Sequence, residues 1–329
     1  MNAARNPAIF RCGTYRQRMN IPALPVHRAP AGAVAFVASN AIGDTLISMV
    51  IVRNLIDHGF DVTVYGTPAY AFREWFPDIT ILPLPQENIA AAFAAYDTVF
   101  QMQWNQPLHD LIHVHPNVST LHDVEFGNRR GCMAQRFTEF CRNELALSAP
   151  VMDNGITAPA NLVHRRHARR VMIHPEASTE DKRWFSHRFV KLAQRLRKRG
   201  YDVQFVIAPH ERERWRHLGQ FDIPAPNFAN LHELASYIYE SGWFIANDSG
   251  VGHLASNLGI PGISLFRRRR MAERWRPAWG IVGVVLPWQW VPSSYLKERL
   301  WRQTLTCNRV LTAFTRLTRR AAHTSGNEA

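Results

Sequence analysis

The stretch NDSGVGHLASNLGIPGISLF, residues 247–266, says most about the fold. The apolar segment before it, WFIA, predicts a buried strand, and Asp248, Ser249 and Gly250 predict a polar turn. A helix of small residues and a second buried strand, GISLF, follow. Because free backbone N–H groups, the Ser249 hydroxyl and the positive end of the helix dipole meet at this turn, we expect an anionic ligand there. The alternative is an ordinary helix cap that binds nothing.

A second polar turn lies in VMIHPEASTEDKRW, residues 171–184, between a predicted strand and a predicted helix. It contains two hydroxyl side chains, Ser178 and Thr179, and one ammonium group, Lys182. Hydroxyls donate hydrogen bonds to phosphate oxygens and a lysine neutralises their charge, so this turn suits a diphosphate. The alternative is a solvated loop in which Lys182 has no function.

The third segment is VAFVASNAIGDTLISMVIVRNL, residues 34–55, which predicts a strand, a tight loop and a helix. Asp44 lies at the start of this helix, beyond the carboxyl end of a parallel strand, where open α/β sheets bind ligands. A carboxylate there can take the proton of an attacking hydroxyl, which makes Asp44 a candidate general base. Aspartate is also a common helix cap, so the pattern alone leaves both interpretations open.

In this order, the three segments resemble those of glycosyltransferase family 9, the bacterial heptosyltransferases of lipopolysaccharide synthesis. The resemblance implies an α/β fold of the GT-B type, with two Rossmann-like domains facing a central cleft. It implies an inverting glycosyltransferase that moves a heptose from ADP-heptose to a lipopolysaccharide core or related glycan, with neither metal ion nor cofactor. Asp44 is then the catalytic base that deprotonates the acceptor hydroxyl.

The resemblance and the residue chemistry together predict two binding sites. The residues expected to bind the nucleotide sugar are Ser178, Thr179, Lys182, Glu211, Asp248, Ser249, Gly250 and His253. The residues expected to bind the acceptor are Asn40, Arg268 and Arg269. Glu211, or its neighbour Glu213, follows the predicted strand QFVIA and can accept hydrogen bonds from ribose hydroxyls. His253 lies one turn into its helix, where it either reaches the donor or is an ordinary helix-surface residue.

The chain departs from the family pattern at four places. The segment 38–41 has no basic residue where the family often has Lys or Arg, and Phe185 replaces a proline. Glu176 replaces a glycine, and a carboxylate near a diphosphate is unfavourable unless it points away or binds another group. Four arginines at 267–270 replace Gly-Pro-Thr and suit a phosphorylated or carboxylated acceptor. The fold and reaction class survive these changes, whereas the identity of the donor and acceptor stays open.

The composition is that of a globular protein long enough for two domains, with 329 residues, 46% hydrophobic and 20% charged. Lys and Arg outnumber Asp and Glu by 39 to 26, and the net charge of +13 favours an anionic glycolipid, an acidic membrane face or nucleic acid as partner. The four cysteines have neither metal-ligand nor disulfide spacing. No stretch predicts a transmembrane helix. The cysteine usage fits a reduced cytosolic setting, and with the basic charge we expect a cytoplasmic protein in peripheral contact with the inner membrane.

The predicted strands divide the chain into two halves with the same plan. They lie at 33–38, 61–65, 79–82, 98–102, 171–174, 202–208, 243–246, 262–266 and 281–286. The predicted divisions are a basic arm at 1–30, an acceptor-binding domain at 31–155, a nucleotide-sugar-binding domain at 156–295, and a helix and tail at 296–329. By the resemblance, this last helix packs back on the first domain.

Three alternatives to this interpretation remain. The clusters HRRHARR and FRRRR suggest nucleic-acid binding, but they lack interleaved aromatic residues and a known module, so we expect no nucleic-acid partner. A family member with another nucleotide sugar or acceptor, or a degenerate non-catalytic binding protein, is a second alternative. Glu176 and the arginine loop favour the degenerate form, and the presence of Asp44 and Lys182 argues against it. Histidines at 109–122 could bind a metal, but their spacing favours structural or acceptor-facing roles.

Overall fold

Two parallel five-stranded sheets form the framework of the protein. The computed structural model describes residues 32–126, 130–288 and 293–326. The strands, in chain order, are β1 (Ala33–Val37), β2 (Asp61–Tyr65), β3 (Thr80–Leu82), β4 (Thr98–Gln101), β5 (Val118–Thr120), β6 (His167–His174), β7 (Asp202–Phe205), β8 (Ser241–Asn247), β9 (Gly262–Leu265) and β10 (Val282–Val285). The first five strands form one sheet and the last five form the other.

The strand orders are β3-β2-β1-β4-β5 in the first sheet and β7-β6-β8-β9-β10 in the second. The direction of chain progression therefore reverses between β1 and β4, and again between β6 and β8. Open parallel sheets bind ligands beyond the carboxyl ends of their strands at such switch points. The loops after β1, β6 and β8 are the ones that carry the three polar segments. The predicted α/β fold with two Rossmann-like domains is confirmed.

Helices cover both sheets. Those of the first half are α1 (Ile42–Asp57), α2 (Thr67–Ala71), α3 (Ile89–Phe93), α4 (Leu111–Val114), α5 (His122–Phe126) and α6 (Met133–Asn143). Those of the second half are α7 (Ser186–Arg197), α8 (Arg212–Trp215), α9 (Leu231–Tyr239), α10 (Gly250–Asn257), α11 (Arg269–Trp275), α12 (Ser294–Thr304) and α13 (Cys307–Gly326). The central strand β8 is buried at every position, as a parallel strand covered on both faces must be.

The two domains meet where α1 and α10 begin. A Cβ atom on Gly250 would lie 3.0 Å from the backbone nitrogen of Gly43, so two glycines allow the helix N-termini to approach closely. Asn154, in the segment that connects the domains, donates hydrogen bonds to the carbonyl oxygen of Leu46 at 2.8 Å and to Oδ1 of Asn257 at 2.7 Å. The connection is thereby bonded to both helices, one from each domain.

The last two helices pack on the second domain. Their apolar side chains join the core around the second sheet, namely Trp301, Leu305, Val310, Leu311, Phe314 and Leu317. The ring of Phe314 packs edge-on against Trp243 of β8, with centroids 5.7 Å apart. This corrects the expectation that the last helix crosses to the first domain, because its apolar face is covered by α7, β9 and β10. The basic arm at 1–30 lies outside the described residues.

Membrane crossing can be judged from helix length and apolarity. None of the helices in the described ranges is both long and apolar enough to span a bilayer.

Candidate active site

A cleft of about 1010 Å³ lies between the two domains. It is at the upper end of the ~300–1,000 Å³ typical of small-molecule sites. Most of the predicted site residues line it, namely Asn40, Asp44, Ser178, Lys182, Glu211, Asp248, Ser249, Gly250 and His253. Thr179, Arg268 and Arg269 do not belong to its lining. The three polar loops that the sequence singles out therefore converge at one place.

Asp44 lies in the first turn of α1 and faces the charged groups of the other domain. Burial raises the pKa of Asp44 to about 6, while the charge of Lys182 and a hydrogen bond from Ser39 oppose the rise and the charge of Asp248 adds to it. A carboxyl group with this pKa is mostly ionised at neutral pH. It is also basic enough to accept a proton from a hydroxyl group in a transition state.

Lys182 and Asp248 form an ion pair across the switch point of the second sheet, with 3.2 Å between Nζ and Oδ2. Lys182 comes from the loop after β6, and Asp248 comes from the loop after β8. Burial raises the pKa of Asp248, and the adjacent Lys182 opposes this rise. The pair fixes an ammonium group beside the N-terminus of α10, where the helix dipole also attracts an anion.

Ser249 caps α10, as the sequence predicts. Its Oγ accepts a hydrogen bond from the N–H of Gly252 at 3.4 Å. Asn247, buried at the end of β8, donates from Nδ2 to the carbonyl oxygen of Pro175 at 2.6 Å and so joins the two loops of the switch point. The first turn of a helix has N–H groups without intrahelical partners, which makes the turn at Gly250 suitable for phosphate oxygens.

His253 is buried beneath this turn. Burial lowers the pKa of His253 to about 4, with the charge of Lys182 adding to the effect, so the ring is neutral at neutral pH. Its Nδ1 has no hydrogen-bond partner in the part of the chain that the structure describes. A ligand that pairs with this nitrogen would remove the cost of an unsatisfied buried atom. The position excludes the helix-surface interpretation of His253.

Glu176, which departs from the family pattern, is a buried anchor for two arginines. Its Oε2 forms an ion pair with Nε of Arg183 at 2.7 Å and accepts a hydrogen bond from Nη1 of Arg214 at 2.8 Å. Its Oε1 accepts one from Nε1 of Trp215 at 2.7 Å. Both arginines line the cleft. The cluster of Glu176, Arg183 and Arg214 therefore has a net positive charge, because one carboxylate is paired with two guanidinium groups.

Glu211 is in the helical turn after β7 and lines the cleft. Its Oε2 accepts a hydrogen bond from the N–H of Ala208 at 2.9 Å, and the exposed His210 lies 3.7 Å from its Oε1. Glu213 also lines the cleft. Both carboxylates therefore lie where a ligand in the cleft can reach them.

Glu125 is a cleft residue that sequence reasoning missed. It lies on α5, its side chain is buried, and its Oε2 has no hydrogen-bond partner within the described residues. Burial raises the pKa of Glu125 to about 8, with the charge of Asp44 adding to the rise and that of Arg274 opposing it. At neutral pH the cleft thus contains a mostly protonated carboxyl group near an ionised one.

Thr179 and the arginine loop lie beside the cleft. The hydroxyl of Thr179 donates a hydrogen bond to Asp181 at 2.5 Å, and Asp181 also pairs with Arg267. Arg268 pairs with Glu298 of α12. These side chains have partners within the chain, and an acceptor contact through Arg268 or Arg269 stays a prediction.

The histidines at 109–122 do not form a cluster. His115 is buried, with its Nε2 bonded to the carbonyl oxygen of Tyr96 at 2.9 Å and its Nδ1 accepting from the N–H of Asn117 at 3.2 Å, which is a structural role. His109 and His113 are exposed. Within the described ranges, His, Cys, Asp and Glu side chains form no group of three that could hold a metal ion.

Two α/β domains with parallel sheets, which contribute a carboxylate and a helix N-terminus to a shared cleft, have the architecture of the GT-B class of glycosyltransferases. Residues 133–286 match the model of glycosyltransferase family 9 (heptosyltransferase). These residues, a little under half of the chain, therefore form a glycosyltransferase family 9 (heptosyltransferase) domain. No curated protein matches the chain by sequence.

Solved structures of bacterial glycosyltransferases have the same fold. E. coli heptosyltransferase WaaC with ADP superposes with a TM-score of 0.64 at 17% identity, covering 86% of this chain and 99% of that one. E. coli ADP-heptose lps heptosyltransferase II gives 0.66 at 16% identity, with 88% and 99% covered. The family 9 glycosyltransferase of Veillonella parvula DSM 2008 gives 0.67 at 15% identity, with 87% and 97% covered.

Proposed function

We propose that the protein is an inverting glycosyltransferase that moves a heptose from ADP-heptose to an anionic lipopolysaccharide core glycan. In this proposal the first domain binds the acceptor and the second domain binds the nucleotide sugar. The observation that carries it is the convergence of Asp44 from one domain with the Lys182–Asp248 pair and the N-terminus of α10 from the other. A base and an anion site on opposite walls of a cleft suit a displacement between two bound molecules.

The charges of the second domain support a nucleoside diphosphate as the leaving group. Lys182, Arg183 and Arg214 all line the cleft, and the ion pair and the buried Glu176 hold them in place. These cations and the helix N-terminus can stabilise the charge that develops on the departing diphosphate. One solved structure contains E. coli heptosyltransferase WaaC with ADP. Another contains the heptosyltransferase TibC, which is 13% identical to this chain, in complex with ADP-D-beta-D-heptose.

The proposed step balances without a further reactant. Asp44 accepts the proton of the acceptor hydroxyl while that oxygen forms a bond to the anomeric carbon of the donor sugar. The bond between this carbon and the diphosphate oxygen breaks, and its electron pair stays on ADP. Attack from the face opposite the diphosphate inverts the anomeric configuration. The burial that raises the pKa of Asp44 to about 6 makes it a stronger base than an exposed aspartate.

The acceptor side of the proposal rests on charge. Asn40 lines the cleft next to Asp44, and the arginine loop at 267–270 lies beside it. A net charge of +13 suits a phosphorylated glycolipid and peripheral contact with an anionic membrane face.

Thermal stabilisation by a matched panel of ADP-, GDP-, UDP- and CMP-sugars tests the donor. A ligand that binds only the folded protein raises its melting temperature, so the proposal expects the largest rise with ADP-sugars. A larger rise with another nucleotide would assign the chain to a different donor. With the best donor, the anomeric configuration of the product then distinguishes inversion from retention. Absence of stabilisation by every nucleotide would favour a degenerate binding protein.

A further inference from the structure

A second groove, separate from the cleft, runs between α7 and α13 on the second domain and has a volume of about 620 Å³. Its charged lining consists of Arg195, Lys198, Arg199, Arg316 and Arg319. We call this groove, with its five basic residues, the cationic seam. It shares no lining residue with the cleft, so the proposed transfer reaction does not use it directly.

The cationic seam has no internal counter-charge. Neither α7 nor α13 contains an aspartate or glutamate. Lys198, Arg316 and Arg319 are exposed, and no ion pair of theirs occurs among the described residues. Like charges held side by side repel one another and reduce stability. An external anion would relieve this repulsion.

Part of the cationic seam is held in a fixed arrangement. Arg199 donates from Nη1 to Oγ1 of Thr315 at 3.1 Å, and Arg195 donates to Oδ1 of Asn308, so both side chains bridge the two helices. Thr312 adds a hydroxyl group to the lining, whereas the hydroxyl of Thr315 already donates to the carbonyl oxygen of Leu311 at 2.9 Å. Guanidinium, ammonium and hydroxyl donors around a shallow groove are the groups that bind phosphate oxygens.

We propose that the cationic seam is a docking surface for the phosphate headgroups of an anionic membrane. Clusters of four to eight Lys and Arg residues on a helical surface are typical of anionic-lipid binding. The seam lacks exposed aromatic side chains on which bases would stack, which disfavours single-stranded nucleic acid. It also lacks the apolar centre of a protein interface, because Leu311 is its only apolar lining residue and is buried.

Vesicle binding with two charge-matched variants tests this surface. The seam variant combines Lys198→Gln, Arg316→Gln and Arg319→Gln, which leaves the helix-bridging arginines in place. The control combines Arg73→Gln, Arg142→Gln and Arg166→Gln, three exposed cations elsewhere on the protein. Both lower the net charge by the same amount. Cosedimentation is measured with phosphatidylglycerol-containing vesicles and with phosphatidylcholine vesicles.

We expect the wild type to bind the phosphatidylglycerol vesicles, more weakly as salt increases, and not the phosphatidylcholine vesicles. Because each cation near an anionic surface contributes about fivefold to binding, the seam variant should lose on the order of a hundredfold. The control should lose far less, and the seam variant should melt at or above the wild-type temperature because repulsion is removed.

Three outcomes would overturn the proposal. Equal losses in both variants would mean that net charge alone drives binding. Undiminished vesicle binding by the seam variant would place the lipid contact elsewhere. The seam variant could instead keep vesicle binding and lose either its binding to duplex DNA or its stabilisation by inorganic phosphate. That result would assign the groove to another anion. The choice of a membrane as the partner rests on the proposed function. Thermal stabilisation by the donor is measured without vesicles, so a failure of the proposed function can be told apart from a failure of the docking surface.

Discussion

The loops after β1 and β8 have the same local design and different electrostatic partners. Each follows a buried strand, begins a helix and carries an aspartate, and their helices meet at Gly43 and Gly250. Asp248 is paired with Lys182 at 3.2 Å, whereas Asp44 forms no ion pair within 4 Å among the described residues. The local sequence therefore determines where each carboxylate lies, and the charged groups around it determine its chemical role. Asp248 holds a cation, and Asp44 is available for a proton.

The largest expected effect comes from removing the available carboxylate. Asp44→Asn should lower kcat on the order of a hundredfold or more, since the amide cannot accept the acceptor proton, and should leave donor affinity nearly unchanged. Asp248→Asn is the matched control, and it should weaken donor binding more than it lowers kcat at saturating donor. Steady-state kinetics with donor titration separates the two, and wild-type turnover in Asp44→Asn would remove this residue from the mechanism.

The next effect concerns the partner of Asp248. Lys182→Ala should weaken nucleotide-sugar binding by roughly 10- to 100-fold, because a charge-assisted hydrogen bond to the ground-state diphosphate is lost. Lys297→Ala, on α12 away from the cleft, is the matched control and should bind like the wild type. Isothermal titration calorimetry measures both. Unchanged affinity in Lys182→Ala would place the diphosphate elsewhere.

A smaller effect tests the neighbouring carboxyl group, Glu125. In the wild type, kcat/KM should fall below about pH 6 as Asp44 becomes protonated, and decline several-fold above about pH 8 as Glu125 ionises and repels the diphosphate. Glu125→Gln should keep the acidic limb and lose the alkaline one, with near wild-type activity at pH 7. An unchanged alkaline limb in this variant would assign that limb to another group.

The smallest effect is on stability. The pKa of Asp44 rises from 3.8 to about 6 on folding, so the folded state binds protons more tightly and the ionised group costs stability above pH 6. Asp44→Asn should therefore be more stable than the wild type by about 1–3 kcal/mol at pH 7, and the gain should vanish near pH 4. Burial also raises the pKa of Asp248, but Asp248→Asn leaves the Lys182 ammonium group without its partner, so its gain in stability should be smaller than that of Asp44→Asn. Denaturant titrations at pH 7 and pH 4 measure the free energy of unfolding of both variants. Equal changes in the two variants would contradict the difference between the environments of the two carboxylates.

Sequence reasoning found the three loops because each has a local signal. A buried strand, a polar turn and an amphipathic helix are marked by neighbouring residues, and the chain direction of a parallel sheet then brings the turns to one edge. Asp44, Lys182 and Asp248 were located in this way without knowledge of their distances. The strand β5 was missed because three residues, Val118–Thr120, in an irregular region give too little pattern.

What sequence reasoning could not find depends on long-range contacts. The partners of Glu176 at Arg214 and Trp215 lie 38 and 39 residues further along the chain, so its role as an arginine anchor has no local mark. The burial of Glu125 depends on the packing of a short helix against the cleft. The sheet that the last helix covers is likewise decided by tertiary packing and has no local mark.

The width of the cleft near Asp44 depends on the contact between Gly43 and Gly250, two residues that have no side chains. Any larger residue at Gly250 would bring a Cβ atom to within 3.0 Å of the opposing backbone and 3.1 Å of Cβ of Ile42. The two helix N-termini would then have to shift apart by a few tenths of an ångström, and the shift would reach Asp44, one residue after Gly43. The spacing between the two walls of the cleft is thus set by the absence of two side chains, so a substitution at Gly250 can change this spacing while Asp44 and Lys182 stay intact.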